Sequence, residues 1–145
     1  MNGFEQHEIK HSSISNINKF IGCPSAWVAH YLFHKKGSAS PAMWRGIYTE
    51  QAVADVLTGK LGIDAAIHRA QSDGEVLFDD DGSGDKERGN IVPMTELAVE
   101  ALEEYGKPDF PEDGSQHRVS MMAKGDGWEV EFMGYVDFKY PDHGL

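Results

Sequence analysis

A single cysteine, Cys23, stands in 145 residues. Its isolation excludes an internal disulfide framework, a Cys-rich zinc site and an iron–sulfur cluster, and it fits a reducing cytoplasm. Cys23 is expected as a small buried residue beside a turn. The chain also lacks an apolar run of the roughly 20 residues that a membrane-spanning helix needs. Its polar N-terminus shows no signal-peptide pattern. Positive charge is scarce: 13 Lys and Arg stand against 24 Asp and Glu, a net charge of −11. Repulsion from phosphates therefore argues against a general polyanion binder. An enzyme that meets DNA in a local basic groove, through divalent cations, stays open. Much of the negative charge lies in segments 73–87 and 96–113, away from the N-terminal third.

Length suits one domain with a real core. The clearest element runs from Ser40 to Leu57. Ser40 can cap a helix, Pro41 suits its first position and Gly59 can close it. At 100° per residue, Met43, Gly46, Ile47, Val53, Ala54 and Leu57 share one face, with Glu50 at its centre. A carboxylate there is costly to bury unless it is paired or holds a metal, so Glu50 is either a salt-bridged or exposed acid or a ligand.

Before it, Ser13 or Ser15 can cap a short helix with Ile14, Ile17, Phe20 and Ile21 at helical spacing. Gly22-Cys23-Pro24 breaks it, and a second helix follows to Phe33. His30 and His34 lie four apart, a spacing able to hold zinc, but no acidic partner lies between them and the expectation is ordinary histidines. A helix is expected from Asp64 to Phe78. Asp79, Asp81, Ser83 and Gly84 fit the start of a calcium-binding EF-hand loop, yet Lys86 and Asn90 break the pattern, leaving a solvated loop. Another helix spans Asn90–Tyr105, with Ile91, Met94, Leu97, Ala98, Ala101, Leu102 and Tyr105 on one face. Gly106 and Pro108 stop it.

The strand signal comes last. Gln116–Ala123 and Trp128–Tyr140 form a hairpin about the turn Lys124-Gly125-Asp126-Gly127. In the second strand Trp128, Val130, Phe132, Gly134, Val136, Phe138 and Tyr140 share the face that packs on helices. Glu129, Glu131, Met133, Tyr135, Asp137 and Lys139 share the other.

Ser13-Ile14-Ser15, Cys23-Pro24-Ser25-Ala26-Trp27, Arg45-Gly46-Ile47-Tyr48-Thr49-Glu50 and Gly134-Tyr135-Val136-Asp137 appear in an order that resembles the front half of a PD-(D/E)XK nuclease. The similarity is to its RecB-type and lambda-exonuclease (YqaJ) branches, common in phages, and it spans residues 13 to 137. It implies an α/β, restriction-endonuclease-like core: helices in the first two-thirds, then a β-hairpin or meander. It also implies Glu50 and Asp137 as ligands of Mg²⁺ or Mn²⁺, in a DNA exonuclease of recombination, repair or phage DNA processing. The substrate would be linear double-stranded DNA with a free end, in the cytoplasm of a bacterial or phage-infected cell; a homo-oligomer is left open.

The chain departs from the family pattern after Asp137. The family's next strand carries Asp/Glu-x-Lys, whereas this chain ends at Leu145 and looks like a nuclease domain, residues 1–145, cut before that strand. Alternatively, Asp137-Phe138-Lys139 is itself the carboxylate-x-lysine motif, which would make Lys139 the catalytic lysine. Arg45, Ser13, Ser15 and Lys19 are the candidate nucleic-acid contacts, with Lys35 and Lys36 adding to the positive character. The competing reading is a non-catalytic module that keeps the nuclease scaffold and binds DNA or a protein partner.

Overall fold

A computed structural model describes residues 6–73, 84–110 and 116–143. The chain divides into two compact units, one from Met1–Ser38 and Gln116–Val136, the other from Ala39–Ser115 and Asp137–Leu145.

In the first unit the short strand β1 (His11–Ser12) leads into helix α1 (Ile14–Gly22). Ser13 caps α1: its hydroxyl accepts the Asn16 N–H at 3.2 Å, satisfying a donor that the helix itself leaves open. Helix α2 (Pro24–Trp27) starts on a proline and runs into a π-helical turn, Val28–Leu32. Trp27 ties these pieces together. Its indole N–H donates to the buried Asn16 Oδ1 at 2.7 Å, and the Phe20 ring meets it edge-on at 5.5 Å.

The sheet belongs to the same unit. Strand β2 (His117–Gly125) pairs antiparallel with β3 (Trp128–Val136), from His117 opposite Val136 to Gly125 opposite Trp128. Gly127, with φ +75°, takes the left-handed conformation that the two-residue loop requires. β1 adds to the other edge of β3 in parallel, His11 opposite Glu131 and Ser12 opposite Phe132, giving the order β1-β3-β2.

The second unit is helical. Helix α3 (Pro41–Leu57) begins at the Ser40 cap, whose hydroxyl accepts the Met43 N–H at 3.3 Å. Helices α4 (Ile63–Asp73) and α5 (Gly84–Glu103) pack on it. Small residues make this contact: Ala52, Ala66 and Ala70 surround Ile91, with Trp44, Tyr48, Val56 and Leu61 packed against them. Segment 137–143 closes the unit, Phe138 near Phe110 (6.3 Å) and Tyr140 near Tyr105 (5.6 Å).

The architecture is thus mixed α/β, with five α-helices and a three-stranded mixed sheet among the described residues. No helix there is long and apolar enough to cross a membrane. Several expectations need correction. On α3 the buried set is Thr49, Ala52, Val53, Ala54 and Asp55, while Met43 and Ile47 are exposed. Val53 and Ala54 of the expected stripe are buried, but helix–helix approach adds the small Thr49, Ala52 and Asp55 and leaves the large Met43 and Ile47 outside. Helix α5 starts at Gly84, not Asn90, and buries Ile91, Thr95 and Val99 at four-residue steps, leaving Met94 and Leu97 exposed. Pro93 lies inside it; counted from Asn90, that proline would have sat in the first turn, where no N–H is needed. β3 stops at Val136, and Cys23 is exposed. The calcium-like residues Asp79, Asp81 and Ser83, and the end of the helix expected to Phe78, lie outside the described residues. Gly84 opens α5, with Lys86 and Asn90 inside it, so the second half of that loop pattern is helix.

Candidate functional site

α3 carries the first candidate acid. Glu50 is half-buried on this helix, one residue after the buried Thr49. One turn earlier, Arg45 forms an ion pair with Glu87 of α5, both side chains mostly buried. The pair joins the two helices and offsets much of the charge that Arg45 could offer to a phosphate. The Arg45 Nε and the Thr49 and Thr95 hydroxyls are buried without a hydrogen-bond partner.

Asp137 follows β3 directly and belongs to the same compact unit as Glu50. The in–out alternation continues beyond the strand: Asp137 and Lys139 are exposed, Phe138 is half-buried and Tyr140 is buried. The two charged residues therefore share a face, as a carboxylate-x-lysine motif requires. Lys139 is held from two sides. Its carbonyl accepts the Asp109 N–H at 2.8 Å, and its ammonium lies 3.8 Å from the Asp109 carboxylate, both side chains half exposed. Burial pushes the Tyr140 phenol above its ordinary pKa.

The other candidates lie in the first unit. Ser13 is committed to the α1 cap and meets the Ser15 hydroxyl at 3.0 Å. The Lys19 ammonium donates to His30 Nδ1 at 3.1 Å. His30 sits in the π-helical turn and His34 just beyond it with φ +52°, so the regular helix that would give them zinc spacing is absent. Among the described residues no three His, Cys, Asp or Glu side chains converge on a common metal position.

No family model, curated protein or solved structure matches this chain.

Two features escaped the sequence. The buried carboxylate of α3 is Asp55, which pairs with Arg69 of α4 and accepts from Gln51 Nε2 at 3.3 Å. Its position off the large-residue stripe hid it. In the first unit, a cleft of about 410 Å³ gathers His7, His11, His30 and His34 with Lys10 and Lys36. No spacing rule links these six residues, because β1, α1 and the π-helical turn bring them together only in the fold.

Proposed function

We propose that this chain carries the front part of a metal-dependent deoxyribonuclease domain of PD-(D/E)XK type, acting on linear double-stranded DNA. One observation supports it most: Glu50 and Asp137, far apart in sequence, belong to one compact unit, with Lys139 on the same exposed face as Asp137. Carboxylate oxygens suit a hard divalent cation, so Glu50 and Asp137 are the residues that would hold Mg²⁺ or Mn²⁺. The bound ion supplies an acidified water and positive charge at the scissile phosphate. Glu50 would hold the ion from a half-buried position on α3, and Asp137 from an exposed one that a nucleic-acid strand could reach. Lys139 orients the attacking water or stabilises developing negative charge once it leaves Asp109, an exchange that a half-exposed 3.8 Å pair resists only weakly.

The same pairing favours a second reading, a nuclease-scaffold module that binds DNA or a partner without cleaving it, because Lys139 is already engaged by Asp109. The deciding experiment measures Mn²⁺ affinity and degradation of end-labelled linear duplex by the intact chain, beside Glu50→Ala and Asp137→Ala. Loss of a supporting group near a metal costs about 10–100-fold in affinity, so loss of a direct ligand should weaken Mn²⁺ at least about tenfold in each variant. Cleavage abolished in both variants supports the nuclease. Mn²⁺ bound without cleavage supports the binding module. Unchanged Mn²⁺ affinity in both variants removes the metal site.

A further inference from the structure

The cleft of the first unit is cationic in a protein of net charge −11. The segment before β1 contributes His7, Glu8 and Lys10, and β1 contributes His11, whose register partner is Glu131 of β3. The first turn of α1 supplies Ser13 and the buried Asn16. The π-helical turn supplies His30 and Tyr31, and the segment after it His34 and Lys36. Among the described residues Glu8 is the one acid on this lining. Lys19, reaching from α1 to His30 Nδ1, adds a further positive charge.

We infer that this cleft binds a phosphate-like oxyanion through Lys10, Lys36, His30 and His34, and binds it more tightly in mild acid. Three features lead there. First, Lys10 and Lys36 line the concavity and Lys19 reaches His30, against Glu8 alone among the described lining residues, so a bound anion relieves repulsion between like charges. Second, Nδ1 of His30 accepts from an ammonium, which leaves Nε2–H as the donor of the neutral ring. Burial, then Lys19 and Lys36, hold the His30 pKa below its ordinary value. That ring is therefore neutral near pH 7, and only a nearby anion would favour its protonated form. Third, two lysines and four histidines outnumber the acid on the described lining and no three metal-ligating side chains converge among the described residues, so an anion suits the lining better than a cation. The cleft has room for about a dozen waters at ~30 Å³ each, enough for a phosphate group with part of its hydration shell.

The sign of the pH effect follows from linkage. An anion beside the His30 imidazole favours its protonated form, so binding takes up a proton and strengthens as pH falls. Glu8 on the lining and Glu131 opposite His11 repel an anion, and the Glu131 carboxyl, held low first by its Ser120 hydrogen bond, stays ionised as pH falls to mild acid. The site lies in a different unit from Glu50 and Asp137 and needs no divalent cation, so it stands or falls separately from the nuclease reading.

Sulfate is the probe, because it remains doubly charged across the range in which inorganic phosphate changes its own protonation. Titrating the intact chain with sulfate, without divalent cations, should give affinity at least about tenfold higher near pH 6 than near pH 8. The His30 imidazole resonances should titrate at higher pH when sulfate is present. Lys36→Gln, at an exposed position that does not endanger folding, should weaken binding about five- to tenfold at both pH values. His30→Gln should bind near pH 8 almost normally and lose much of the gain near pH 6. Affinity independent of pH, or equal affinity in Lys36→Gln, would overturn the inference. Competition then assigns the source of the phosphate. Displacement of sulfate by inorganic phosphate alone points to a small phosphorylated molecule. Displacement also by a single-stranded oligonucleotide without terminal phosphates points to a nucleic-acid backbone. If neither displaces it, the phosphate assignment fails.

Discussion

At the scale of single residues, Asp55 shows how a charge is kept inside this protein. Its carboxylate is 3 % exposed, whereas the Arg69 guanidinium that meets it is 43 % exposed and also lies 3.9 Å from Asp73. The two partners are therefore not equivalent. Arg69→Ala strands a buried carboxylate that keeps the Gln51 amide as a hydrogen-bond donor, and should cost about 2–3 kcal/mol, below the roughly 3–5 of a fully buried pair because Arg69 is partly solvated. Asp55→Ala leaves a guanidinium that can turn to Asp73 and to water, and should cost about 1–2 kcal/mol. Urea unfolding of both variants makes the comparison. If Arg69→Ala were no worse than Asp55→Ala, desolvation of the carboxylate would not be what the pair offsets. Glu50, the acid that the apolar stripe singled out, is less buried than Asp55. A residue's burial is set by which neighbour approaches, and an apolar stripe on one helix says nothing about that neighbour.

At the scale of elements, the hairpin gives the sharpest steric test. A Cβ built on Gly125 would lie 2.4–2.6 Å from the Trp128 indole ring, closer than any real contact. Gly125→Ala therefore has to turn the Trp128 side chain outward from the end of the β2–β3 ladder. Overpacking of this kind costs about 1–3 kcal/mol, and the lower part of that range applies because Trp128 is already 39 % exposed. A thermal melt and Trp fluorescence read the result; an unshifted emission maximum with unchanged stability would mean that the ring does not rest on Gly125. The hairpin, the Ser13 and Ser40 caps and the Pro41 start were legible in the sequence because each signal is local, a few residues acting on their own backbone. β1 was not. Its two residues carry no pattern of their own and become a strand only by pairing with Glu131 and Phe132, far along the chain. The start of α5 was missed for a related reason: its first turns are polar, and the Ile91–Thr95–Val99 ridge that anchors the helix is shorter and less apolar than the face it displaced. The candidate site divides the same way. That Asp137 and Lys139 share an exposed face was legible from in–out alternation, while the histidine-lined cleft exists only once three elements meet.

At the scale of the whole molecule, burial is unevenly shared. The second unit holds the fully buried side chains Ile91, Thr95 and Asp55 and the alanine-lined contact of α3, α4 and α5. Among the described residues of the first unit the buried ones are Ser12, Asn16 and Val130, while Ile14, Phe20, Ile21, Met121 and Met122 are half or more exposed. Apolar burial is the main term holding a local structure closed, so the free energy of opening should differ between the units. Native-state hydrogen exchange compares hydrogen-bonded amides in each. Those of the β2–β3 ladder and of α1 should exchange at least about tenfold faster than those in the middle of α3 and α5, a difference of about 1.4 kcal/mol in opening free energy. A sheet that opens more readily than the helices also fits an anion cleft whose lining comes from β1, α1 and the π-helical turn, because saturating sulfate should then slow exchange in α1 more than in α5. Equal protection throughout would mean that the two units open as one cooperative structure, and that the sparse burial of the first is made good by contacts other than apolar ones.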